Sequence, residues 1–78
     1  MTRLEFQHAF EDILEAPHGS LKETDSRDTV ETWSSFVDVD IIGLIARNFG
    51  VEPEAEHMEA ETFGDILGIL EAKKVFTA

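Results

Sequence analysis

The chain has no cysteine. That absence removes disulfide staples, thiolate zinc sites and a cysteine nucleophile together. Basic residues are also scarce: six lysines and arginines face seventeen aspartates and glutamates, for a net charge of −11 at pH 7. A nucleic-acid backbone is gripped by a basic surface that displaces counterions, so no nucleic-acid partner is expected. The acidic excess suits basic partner surfaces, whose encounter it speeds at low salt. It would equally serve only to keep a small protein in solution. Charged residues break every apolar run long before the length of a membrane span, and nothing resembles a signal peptide. No membrane span and a cytoplasmic location are therefore expected. Alternating apolar and polar stretches are rare, and the chain has neither an internal repeat nor a low-complexity tract.

What remains is helical spacing. The 78 residues give room for one domain, spanning 1–78, with one modest core. Thr2 with Glu5 forms a capping box, and Phe6, Ala9, Phe10, Ile13 and Leu14 follow at helical intervals. They predict a first helix running to about Ala16, with His8, Glu11, Asp12 and Glu15 toward water. Pro17 and Gly19 end it. From there to Thr32 the chain is polar and turn-rich, which predicts a long loop with one helical turn near Asp25 to Val30. Leu21, Val30 and Trp33 would hold that loop to the core.

A central helix follows. Ser35 is its expected N-cap, Asp38 can reach back to the cap, and Gly50 supplies the left-handed stop. Ile41, Ile42, Ile45 and Phe49 share one face, with Val37 and Leu44 beside them. So broad an apolar arc suits a helix covered on more than one side. Pro53 can open a short third helix with Ala55 and Met58 inward. Thr62 with Asp65 caps a last helix whose stripe is Phe63, Ile66, Leu67 and Leu70, with Lys73 and Lys74 at its negative end. Val75 to Ala78 would be a frayed tail. The expected fold is all-α: a small four-helix bundle of three long helices and one short third helix, with a long loop between the first two.

Trp33, Ser35, Phe36 and the closing Phe49-Gly50-Val51 resemble the modification site and second helix of acyl carrier proteins of the Trp-Asp-Ser-Leu type. Thr62-Phe63-Gly64-Asp65-Ile66 is similar to that family's opening of the last helix. The resemblance covers nearly the whole chain, the long first loop included. It implies a 4′-phosphopantetheine arm, derived from coenzyme A, on Ser35. It further implies that the arm carries acyl, aminoacyl or polyketide intermediates as thioesters, as in fatty acid and polyketide biosynthesis. The implied partners are a phosphopantetheinyl transferase and acyl-loading and acyl-transfer enzymes with basic surfaces. These would meet Ser34, Phe36, Val39 and Asp40 on a monomeric carrier that is not itself an enzyme.

A second serine competes for the arm. Ser26, in Asp25-Ser26-Arg27-Asp28, also imitates a carrier signature. Placing the arm there would shorten the first loop, put Asp40 where the helix needs its closing aromatic, and lengthen the run to Thr62. Ser34 stands where the family usually has aspartate. A serine there is either a tolerated loop variation or the mark of a carrier with a specialised transferase, or of one left unmodified. In that last case the chain is an interaction module acting through its acidic surface. Glu52, Glu54, Glu56, Glu59 and Glu61 read mainly as a solvated charge run. Asp38 to Gly43 only faintly imitates a calcium loop, because Phe49 stands where a bidentate glutamate is needed. His8, His18 and His57 have no metal-ligand spacing.

Overall fold

Three stretches combine helical spacing with strong start signals, and all three fold as helices. A computed structural model of the chain describes residues 1–50 and 60–77. It contains α1 (Arg3–Ile13), α2 (Ser35–Phe49) and α3 (Phe63–Ala72). Among the described residues there is no strand, only isolated bridges pairing Thr2 with Thr77 and Ser26 with Thr62. Among the described residues the fold has three helices, which corrects the four-helix bundle expected from the sequence. The short third helix expected at Pro53 to Met58 lies outside the described residues. Non-helical chain closes much of the core instead: Leu21, Trp33 and Ala60 are buried in it, and Val75 and Phe76 pack against it.

The start of α1 is a full capping box. The Glu5 amide donates to the Thr2 hydroxyl at 3.1 Å, and the Thr2 amide donates to the Glu5 carboxylate at 2.9 Å. That backbone hydrogen bond from Thr2 holds the Glu5 carboxyl below its usual range. Thr62 and Asp65 repeat the arrangement at the start of α3, with the same effect on Asp65. Both helices also end alike. After Leu14, Glu15 takes a left-handed φ of 58°, the Ala16 amide donates to the Glu11 carbonyl and the Glu15 amide to that of Asp12. Lys74 does the same after α3, at φ 56°, with Val75 bonding back to Leu70. This is the Schellman turn, here built without glycine. It stops α1 at Ile13, short of the expected Ala16.

Glu11 is a second correction. Instead of facing water it is fully buried, because the loop folds back over that side of α1. Its carboxylate accepts from the Gly19 amide at 3.0 Å, the Leu21 amide at 2.9 Å and the Gln7 side chain at 3.4 Å. Burial by itself would raise its pKa. The Leu21 and Gly19 amides, helped by Gln7 and the nearby His8, outweigh that and hold it below the ordinary 4.5. A buried carboxylate thus serves as the fixing point of the loop.

The core is largely aromatic. Phe10 meets Trp33 edge-on at 5.2 Å and Phe63 at 4.9 Å, while Phe6 lies 5.9 Å from Phe10. The tail is not frayed through Thr77: Phe76 packs on Phe6 at 5.6 Å and on Phe49 at 5.5 Å, and the Thr77 amide donates to the Met1 carbonyl. From α2, Ile41, Leu44 and Ile45 are buried, whereas Ile42 is only partly covered. Gly64 lets the loop approach α3, since a Cβ there would come within 2.9 Å of the Glu23 carbonyl oxygen.

Candidate functional site

The start of α2 differs from those of the other helices. Ser34, not Ser35, is its N-cap, with extended φ and ψ of −114° and 176°. The Ser34 side chain makes no capping hydrogen bond. The register is set when the Asp38 amide donates to the Ser34 carbonyl at 3.1 Å, which places Ser35 at the first helical position. Asp38 therefore lies one residue beyond the capping-box position, and its carboxylate does not reach back. The amides of Ser35, Phe36 and Val37 are left without an acceptor among the described residues.

The Asp38 carboxylate is instead engaged sideways. Arg27, from the loop, donates through Nε at 3.0 Å and Nη2 at 2.9 Å to its two oxygens. The Trp33 indole Nε1 donates to Oδ1 at 2.8 Å. The same guanidinium donates through Nη1 to the Ala60 carbonyl at 3.0 Å and lies 5.1 Å from the centre of the Trp33 ring. Trp33 is thus buried among core rings while its polar edge is tied to α2. Arg27 was not singled out by the sequence. Its partner is distant along the chain, and an arginine in a polar loop carries no periodic signal.

Ser34 and Ser35 are both exposed at this helix start, and the Ser35 hydroxyl has no hydrogen-bond partner among the described residues. Phe36 is 86% exposed and Val39 70% exposed. With exposed Asp40 they occupy neighbouring positions on the solvent side of the first two turns. The structure thus gathers Ser34, Ser35, Phe36, Val39 and Asp40 at one end of one helix. Ser26 is placed differently: its hydroxyl accepts from the Asp28 amide at 3.2 Å, and its carbonyl closes a helical turn with Val30. No protein-family model matches the chain, and no curated protein or solved structure matches it. The likeness to acyl carrier proteins rests on the residues alone.

The histidines include one arrangement that their spacing did not suggest. His8 and His18 stack with ring centres 4.3 Å apart, and His18 Nε2 lies 2.7 Å from Asp12 Oδ1. Among the described residues no group of three or more His, Asp or Glu side chains gathers to hold a metal ion. Nor is any described helix long and apolar enough to cross a membrane.

Proposed function

We propose that the chain is a carrier protein bearing 4′-phosphopantetheine on Ser35. The observation that carries this reading is the exposed Ser35 hydroxyl beside the first-turn amides of α2, neither with a hydrogen-bond partner among the described residues. A phosphodiester formed on that oxygen would sit where free amide protons and the positive end of the helix dipole favour an anion. Attachment would form a bond between Ser35 Oγ and the pantetheine-side phosphorus of coenzyme A, break that phosphorus's bond to the bridging pyrophosphate oxygen, release 3′,5′-ADP, and pass the hydroxyl proton to the transferase. The arm supplies a terminal thiol that holds acyl-type cargo as a thioester, which a chain without cysteine cannot offer. Phe36, Val39 and Asp40 would give partner enzymes an apolar contact with an acidic edge. The unmodified interaction module is the second reading. It is favoured by the uncharged Ser34 and uses the same exposed Phe36 and Val39.

The test is direct. Incubated with coenzyme A, magnesium and a broad-specificity phosphopantetheinyl transferase, the protein should gain the mass of one phosphopantetheine group. Ser35→Ala should gain nothing, and Ser26→Ala should match the parent. The exposed Ser35 side chain makes no hydrogen bond among the described residues, so its loss should leave stability within about 0.5 kcal/mol of the parent. A mass gain that survives Ser35→Ala, or none in the parent, would refute the carrier reading.

A further inference from the structure

We infer that Arg27 is the positioning residue for Ser35, a role that rests on the carrier reading. Its guanidinium joins three separate stretches of chain. It belongs to the loop, holds both carboxylate oxygens of Asp38 on α2, and reaches the Ala60 carbonyl on the way into α3. Asp38 is also the residue whose amide closes the first turn of α2 onto Ser34. The residue gripped by Arg27 therefore defines where that turn begins, and Ser35 follows immediately after Ser34. Trp33 completes the clamp from the other side, its indole hydrogen-bonded to Asp38 and its face under the guanidinium.

Only an arginine can serve here. A lysine ammonium carries the same charge but cannot place two parallel donors on a carboxylate and a third on a carbonyl while its centre stays over an indole. The cap that would ordinarily fix a helix start is missing from α2. The clamp supplies that order from the side, and so leaves the amides and the hydroxyl at the helix tip open. Group transfer to Ser35 is sensitive to placement at the scale of an ångström, so loosening the clamp should slow the step without removing the surface that docks the transferase.

Arg27→Lys and Asp38→Asn test this, with Arg3→Met as a control that removes an exposed arginine's two ion pairs elsewhere, to Glu23 and Glu71. Trp33 is the only tryptophan, so its fluorescence reports the clamp directly. Both clamp variants should shift Trp33 emission and speed hydrogen exchange at the Asp38 amide about tenfold, leaving the capped starts of α1 and α3 unchanged. Modification should then lose about tenfold in kcat with KM for the carrier nearly constant, because Phe36, Val39 and Asp40 are untouched. Arg3→Met should do neither. Unchanged Asp38 exchange, or unchanged kcat, in a folded Arg27→Lys protein would overturn the inference. A rise in KM alone would do the same, since it would make Arg27 a docking residue. A parent that is never modified would sink the carrier reading, while the exchange data would still decide whether Arg27 orders this turn.

Discussion

Glu11 provides the sharpest test of how this fold is held. Glu11→Gln keeps the shape but places an amide nitrogen near one of two backbone donors, Gly19 or Leu21, that now share a carboxylate. A hydrogen bond to a charged group contributes about 1.5–3 kcal/mol, and an unsatisfied buried donor costs about 1–3 kcal/mol. Leu21 is buried and Gly19 exposed, so the glutamine oxygen should keep Leu21 and the loss should fall on the charge-assisted bond to Gly19: about 2 kcal/mol for Glu11→Gln. Glu11→Ala also empties a filled site and should cost about 3 kcal/mol. In a domain of this length about 2 kcal/mol corresponds to a fall in Tm of roughly 8–16 °C. The sign of the pH dependence follows from the lowered pKa. The unfolded chain takes up the Glu11 proton at a higher pH than the folded one. The stabilisation is thus complete above the unfolded value near 4.5 and is lost as pH falls through the lower folded value. Urea melts of parent and Glu11→Gln between about pH 7 and pH 3 would show it. The gap between the two proteins should be widest at neutral pH and narrow on acidification. Parallel curves across that range would mean that Glu11 is not the charged anchor described here.

Two further predictions concern the core and a helix end, and one concerns the site. Ile45 is buried on the inward face of α2, so Ile45→Ala should cost about 2–5 kcal/mol, seen as a lower denaturant midpoint with an unchanged m-value. Glu15 is exposed and left-handed; Glu15→Gly should raise stability by about 0.5–1 kcal/mol, the relieved backbone strain exceeding the entropy gained by the unfolded chain. A lower Tm would show that its side chain matters more than its φ. Ser34→Asp restores a charge at the N-cap and should raise the rate of modification at low salt more than at high salt; equal rates across a salt series would remove Ser34 from the explanation.

Features decided within one turn were legible in the sequence. The boxes of Thr2 with Glu5 and Thr62 with Asp65 need only residues three apart, and both form. The stops were half legible. Gly50 ends α2 at φ 67°, but Glu15 and Lys74 took the same conformation with no glycine to announce it. What failed was decided at long range. Glu11 looked solvent-facing on polarity alone, and only the loop arriving with two free amides made burial favourable. Phe76 looked like part of a frayed end until Phe6 and Phe49 offered it aromatic neighbours. Ala60 and Phe76 follow the same logic, since both contribute to the core from non-helical chain.

The site shows the same contest at a single residue. Read locally, Ser35 with Asp38 is a cap and its partner, and the pair would close the helix tip with its own side chains. Arg27 and Trp33 draw the Asp38 carboxylate away, and the helix begins one residue earlier than local rules direct. That shift moves Ser35 from a cap, whose hydroxyl would be occupied, to a first helical position where it is idle. On the carrier reading this is the useful outcome. A serine that must become a phosphodiester cannot also be a committed hydrogen-bond acceptor. Phe36 and Val39 conform to the pattern, since leaving both in water forgoes about 1.5–3 kcal/mol of burial for each side chain. A partner covering them would recover that free energy, enough for about a hundredfold or more in affinity. The empty cap, the idle serine and the exposed Phe36 and Val39 meet at one end of α2, where a functional site is expected to tolerate what a purely structural helix would correct.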